Sequence, residues 1–187
     1  MSISRNIELK SKNGFIFLRP PLMEDADNIY NAVQVSKAEL MPWMDWCRPD
    51  FSINVPLEWL KNQPLDWEQG INYQFLIIDS KSQQFLGGCG INHINQFYLL
   101  ANLGYWVRSD RHGEGIATEA TKLIALFGFQ QLGLRRIEIV TGEENWASRR
   151  VAEKTGAAFE GILRKRLKIG SKNIDAAMHS LILEDLA

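Results

Sequence analysis

The chain has 187 residues, of which 45% are apolar and 23% charged, and its net charge is −1. That length supports one domain with a buried core, and the near-neutral balance excludes a global field that would draw the protein onto nucleic acid. Cys47 and Cys89 form neither a disulfide framework nor a metal pattern. His93, His112 and His179 are widely separated, so no metal site is expected. The opening MSISRNIELK has no apolar signal core, and no apolar run approaches the ~20 residues of a membrane helix. A reducing, cytoplasmic setting without a membrane is the expectation. There is no repeat, low-complexity segment or linker.

Ile7-Glu8-Leu9 and Phe15 to Leu18 flank an Asn13-Gly14 turn signal and predict a hairpin. Met23 to Val35 predicts a helix with acids Glu24, Asp25 and Asp27 in its first turns, where the dipole favours them. Met41 to Trp46 is an aromatic loop around Pro42. Trp43 and Trp46 there fit either a lid or dimer contact, or one wall of a substrate groove. A second helical stretch runs from Val55 to about Glu68 and should break at Pro64. Tyr73 to Ile78, Gln84 to Ile91 and Leu99 to Val107 read as an antiparallel meander. Gly87, Gly88 and Gly90 in the middle strand suggest bulges or close backbone approach. Cys89, in the same strand, reads as a buried small hydrophobe.

The chain is organised around Leu103 to Ala120. An apolar strand end is followed by a polar loop, Arg108 to Glu114, and then by Ile116, Ala120, Leu123, Ile124 and Phe127 at helical spacing. A helix N-terminus carries unpaired N–H groups and partial positive charge. Gly113 and Gly115 leave that backbone open to a phosphate. The spacing alone fits a tight strand-to-helix turn as well as a phosphate site between Gly113 and Thr118. Neither GxxxxGK[ST] nor an early GxGxxG is present, which excludes two other phosphate loops. Gly133 reads as the cap of this helix. Arg136 to Val140 is a strand, Asn145 to Thr155 a short helix capped by Gly156, and Phe159 to Ile169 and Ile174 to Leu183 the last strands. The order predicts an α/β (α+β) domain with a mixed sheet, parallel only where the central helix crosses over.

The string His112-Gly113-Glu114-Gly115-Ile116-Ala117 resembles the acetyl-CoA loop of the GCN5-related N-acetyltransferases, Gln/Arg-x-x-Gly-x-Gly/Ala, with His112 at the first position and Arg111 before it. Ala117-Thr118-Glu119-Ala120 looks like the Rim-type branch, whose members acetylate N-termini of ribosomal proteins. Asn145-Trp146-Ala147-Ser148, followed by Arg150, resembles that branch's second coenzyme A contact. The resemblance spans about residues 18–183. It implies a mixed, mostly antiparallel sheet with a splayed parallel pair, and acetyl-CoA as cosubstrate without metal. Asn145 would contact the pantetheine arm, Ser148 would lie near the thioester sulfur, and Arg150 would contact the 3′-phosphate. Asn145 is equally a good N-cap on local grounds. Three positions depart from the branch: Ala157 replaces Phe, Asn102 replaces an acid, and His179 replaces Tyr or Phe.

Acetyl transfer needs a neutral amine, aligned reactants, a stabilised oxyanion and a stabilised leaving thiolate. Backbone N–H groups of Trp106 and Val107 are candidates for the oxyanion, Ser148 for the thiolate. An α-amine, with pKa about 7.7–8.0, is about a tenth neutral at pH 7, whereas lysine at about 10.4 needs a strong base. Asn102 leaves no obvious base except His179, which otherwise reads as a half-buried strand histidine. An α-amine acceptor therefore leads, and the resemblance implies that it is the N-terminus of a protein, expectedly a ribosomal one. A polyamine or aminoglycoside, or a non-catalytic acyl-CoA-binding module on the ribosome, are the alternatives. Between Arg149 and Lys172 eight basic residues stand against two acids. They form either a solvated face or a landing surface for an acidic partner or RNA. Monomer and homodimer both remain open.

Overall fold

The structure, a computed structural model, describes residues 3–186. Its frame is one eight-stranded sheet. The strands are β1 (Leu9–Lys10), β2 (Ile16–Arg19), β3 (Tyr73–Asp79), β4 (Phe85–Asn95), β5 (Leu100–Val107), β6 (Arg136–Gly142), β7 (Ala158–Ile169) and β8 (Lys172–Leu181), in the spatial order β1-β2-β3-β4-β5-β6-β8-β7. Every pairing is antiparallel except β5 with β6. That parallel pair is short. Leu100, Ala101 and Asn102 face Arg136, Ile137 and Glu138, and pairing then stops while both strands continue. The helices α1 (Ala26–Val35), α2 (Lys37–Leu40), α3 (Asn54–Glu68), α4 (Ile116–Gln130) and α5 (Trp146–Thr155) flank the sheet.

Two apolar cores result. Ile116, Ala120, Ile124 and Phe127 of α4 pack on Phe75, Ile91, Leu103 and Ile137 of the sheet. On the other face, Ala26, Ile29 and Val33 of α1 and Leu60 of α3 meet Leu76, Ile78 and Phe85. Trp67, Tyr73, Phe75 and Phe127 form an aromatic cluster with ring centroids 4.9–6.1 Å apart, each pair contributing about 0.5–1.5 kcal/mol beyond its buried area.

The mixed-sheet prediction and the crossover hold. Some boundaries differ for local reasons. Met23–Asp25 is a 3₁₀ turn, because buried Asp25 is bonded bidentately to Arg19 at 2.6 and 2.8 Å and accepts the Leu22 N–H at 2.7 Å. Pro64 does not break α3; the helix runs through it, at the expense of one backbone bond, held by buried Pro56, Leu60 and Trp67. Residue Gln131, not Gly133, caps α4; Gly133 turns the chain two residues later at φ +67°. The final strand ends at Leu181, and 3₁₀ geometry follows over Leu183–Leu186.

The glycines of β4 do what their sequence suggests. Pairing of β3 with β4 shifts register between Ile77 and Ile78. Gly87 there has φ +155°, and a Cβ on it would lie 2.1 Å from the Trp106 carbonyl oxygen. Gly87→Ala is expected to lower stability by about 1–3 kcal/mol through backbone strain. The melting temperature should fall by roughly 2–4 °C per kcal/mol, read by thermal unfolding.

Candidate active site

The site begins where β5 leaves β6. Arg108 N–H, just beyond β5, donates to Leu86 O at 2.8 Å, which makes β5 residues of the same parity point their backbone groups at β4. Trp106 shares that parity. Its N–H is committed to β4, so it is not the oxyanion donor that the sequence suggested. Tyr105 and Val107 have the opposite parity and present their N–H groups to the gap that β6 vacates. The Val107 carbonyl is already used: His112 Nε2–H donates to it at 3.0 Å, closing the loop back on the strand.

That loop ends in an open helix terminus. Gly113 and Gly115 have φ +85° and +81°, and a Cβ at either would meet nothing within 4 Å, so the space above the backbone is clear. Gly115 is the N-cap of α4, and the first helical bond is Glu119 N–H to Gly115 O at 3.0 Å. The N–H groups of Ile116, Ala117 and Thr118 precede it and point out of the helix end. Arg111 does not reach for a ligand. It bonds Glu114 at 2.7 and 2.9 Å, Gln84 at 2.7 Å and Asp79 at 3.2 Å, anchoring the loop. Glu114, expected among the binding residues, is thereby turned to Arg111, leaving its backbone for the loop.

Asn145 caps α5, its Oδ1 accepting the Ser148 N–H at 3.1 Å. Ser148 Oγ lies 3.0 Å from Tyr105 Oη, and that phenol also donates to Ser148 O at 2.9 Å. Burial pushes the Tyr105 hydroxyl up to about 12, so it stays protonated and can donate. Tyr105 was not among the residues singled out by sequence; no local pattern links two positions 43 residues apart.

Between these groups and the aromatic loop lies a cleft of about 440 Å³, within the range of small-ligand sites. Ser148, Asn145 and Thr141 line one end. Trp46, Trp59, Phe51, Phe85 and Trp106 supply the cleft's aromatic lining, and Trp43 lines it beside Thr141. Trp43 covers Gly142, where a Cβ would lie 2.8 Å from the indole. Trp46 tilts against Trp106 at 5.7 Å. The polar floor is three carboxamides, Gln74, Asn92 and Asn102, with Asn102 Nδ2 donating to Asn92 Oδ1 at 2.9 Å. Among the described residues no Asp, Glu, Lys, Arg or His lines this cleft. Cys89 reaches its wall but is 2% exposed, and burial pushes its thiol up.

His179 is not brought into the cleft. It is fully buried on β8, its ring tilted against Phe159 at 5.3 Å, with neither ring nitrogen hydrogen-bonded. Burial, then the nearby Arg149, hold its pKa down. Its pairing with Ile139 places it on the sheet face that carries α4 and α5, away from the aromatic wall. It therefore cannot act as the base. Arg150 is exposed on α5 without a salt bridge among the described residues. The basic stretch divides: Arg149 stacks over Trp146 at 4.4 Å, Lys165 pairs with Asp175 at 3.7 Å, and the remainder lie on α5, on the β7 edge or, for Lys172, at the start of β8.

A mixed sheet parted at its one parallel pair, with a glycine-opened helix terminus at the gap, defines an acyl-CoA-type transferase architecture. The acetyltransferase (GNAT) domain matches residues 16–158, and the chain belongs to that family. An uncharacterized N-acetyltransferase, p20, of Bacillus licheniformis is 33% identical over 119 residues, which is 64% of this chain and 67% of that protein. The ribosomal-protein-serine acetyltransferase of Escherichia coli (strain K12) is 22% identical over 156 residues, 83% of this chain and 86% of that protein. The structure of Mycobacterium smegmatis RimJ in complex with CoA-disulfide superposes with a TM-score of 0.83 and 26% identity, covering 96% of this chain and 88% of that one. No helix among the described residues is long and apolar enough to cross a membrane, and no cluster there could hold a metal ion.

The anchor of the Arg108 to Glu114 loop is acid-sensitive. Asp79 is held at about 2 against an ordinary 3.8, first by the Ser82 N–H and then by Arg111. Glu160 is likewise held at about 2 by Arg136 and Ser180. Both pKa values are depressed by folding, so their stabilisation is complete above the ordinary carboxylate values and is lost as pH falls toward 2. Urea unfolding should show stability dropping between pH 4 and 2, with a shallower drop in Asp79→Asn.

Proposed function

We propose that this protein transfers the acetyl group of acetyl-CoA directly to the N-terminal α-amine of a protein, with a ribosomal protein as the acceptor class. The observation that carries the reading is the uncharged cleft at the parted strands. A lysine acceptor needs about 3 units of help to lose its proton at pH 7, and the titratable groups lining the cleft, Tyr105 and Cys89, are kept protonated by burial. An α-amine is already partly neutral there. Its proton leaves to water held by the carboxamides of Gln74, Asn92 and Asn102. Polyamines and aminoglycosides are disfavoured because, among the described residues, no carboxylate lines the cleft itself to hold their further ammonium groups. The ribosomal acceptor draws on the likeness to the Escherichia coli enzyme and to RimJ.

The chain's own groups divide the work. The α4 terminus, through the N–H groups of Gly113 to Thr118, suits a diphosphate. The side chain of Asn145 and the unpaired edges of β5 and β6 suit the amide-bearing arm. The Val107 and Tyr105 N–H groups face the gap and are positioned to stabilise the carbonyl oxygen as it becomes anionic. Ser148 turns its hydroxyl from Tyr105 Oη, 3.0 Å away, to donate toward the departing sulfur, while Tyr105 keeps its own proton on Ser148 O. A thiol with pKa near 8.5 is a fair leaving group, so this donation accelerates the step without being indispensable.

Calorimetric titration with acetyl-CoA should give micromolar binding that Gly115→Glu abolishes, with thermal unfolding separating lost binding from lost fold. Mass spectrometry of peptides with free and blocked N-termini should then show acetylation of the α-amine only. Acetylation of internal lysine, or no binding by the wild type, would sink the reading. Removing the Ser148 donor in Ser148→Ala should lower kcat about tenfold to a hundredfold, the range of one charge-assisted hydrogen bond, leaving the KM for acetyl-CoA within a few-fold.

A further inference from the structure

The far end of the cleft contains more than an amine requires. Past Ser148 and the carboxamide floor, its walls are Trp46, Phe51, Trp59 and Phe85, with Ile29 and Pro56 behind them. Trp46 remains 40% exposed although it contacts both Phe51 and Trp106. An aromatic face left open at the mouth of an apolar cleft is surface that a ligand can cover. A charged or hydroxyl-bearing group placed there would lose its water and find no partner.

A second cavity of about 360 Å³ adjoins this one, and Trp43 lines both. Its character is opposite. Glu143, Glu144, Lys165, Lys172 and Asp175 line it. It runs between the aromatic loop and the β7–β8 turn, which the Gly170 N–H fastens to Asp45 Oδ1 at 2.8 Å. One step across a single indole therefore changes the lining from uncharged to charged. A small aromatic amine would use only the first cavity. A polypeptide uses both: its first side chain enters the apolar end, and its following residues cross Trp43 into the charged groove.

We infer that the acceptor is a polypeptide whose first residue carries a large apolar side chain, such as Met, Leu or Phe, followed by polar residues. The inference rests on the α-amine reading and narrows it. Burying a side chain of that size is worth about tenfold to a hundredfold in kcat/KM over a small or polar one. Trp46 and Phe51 act on specificity, and Trp43 divides the first residue's site from the second.

The test uses the full-length protein with saturating acetyl-CoA and a set of peptides sharing one polar tail. They begin with Phe, Leu, Met, Ala, Ser, Asp or Lys, and each is also made with a blocked N-terminus. The expected result is kcat/KM at least tenfold higher for Phe, Leu and Met than for Ala and Ser. Trp46→Ala should raise KM for the Phe peptide several-fold more than for the Ala peptide, a difference that a general loss of folding would not produce. Equal rates across the set, or preference for Ala or Ser, overturn the inference and leave the α-amine reading intact. Acetylation of the blocked peptides at lysine, or turnover of no peptide while acetyl-CoA is bound, overturns that reading itself.

Discussion

Backbone pairing that stops partway along two adjacent strands is the constraint on which the site depends. Past Asn102 and Glu138, β5 and β6 diverge in the middle of a sheet, and the N–H and C=O groups on their facing edges lose their ladder. Side chains keep the gap open. On one face the Trp43 indole lies against Gly142, where even a Cβ would not fit. On the other, the Tyr105 hydroxyl is bonded to Ser148, pinning the start of α5 beside β5. The protein satisfies one edge carbonyl itself, through His112, and leaves the neighbouring donors directed at the space a substrate would fill.

Charge is organised around that neutral gap. Arg111 draws Asp79 and Glu114 together at the loop, and Arg136 draws in Glu138 and Glu160 at the far end of the parallel pair. Glu138 stands directly across from Asn102, yet its carboxylate is held by Arg136 at 3.0 Å. This acid is thus occupied as an ion-pair partner. Both networks sit at the rim, where opposite charges offset each other's desolvation, and the cleft between them has a low local dielectric in which backbone donors act more strongly.

Much of this was legible in the chain because it is encoded locally. Short apolar runs gave the meander, Gly113 and Gly115 the open turn, and Asn145 with Ser148 the capped helix. What escaped was encoded by register and packing. Whether Trp106 or Tyr105 turns its N–H to the gap depends on parity, which the pairing of β5 with β4 sets. His179 reads as a plausible base until helices on both faces decide which side of the sheet it occupies. Pro64 signals a break that tertiary contacts override. The neutrality of the cleft belongs to no motif at all: it arises because residues from α1, α3, β3, β4, β5 and β6, each ordinary alone, converge there without a charge among them.

Cys89 shows what such neutrality prevents. A cysteine beside a thioester is a chemical hazard, because a thiolate there would capture the acyl group and divert it onto the enzyme. Here the sulfur is sealed in the wall of the cleft, has no cationic neighbour, and is forced by burial to keep its proton. The thiol is therefore a silent bystander. Acyl exchange onto this cysteine has no thiolate to begin it.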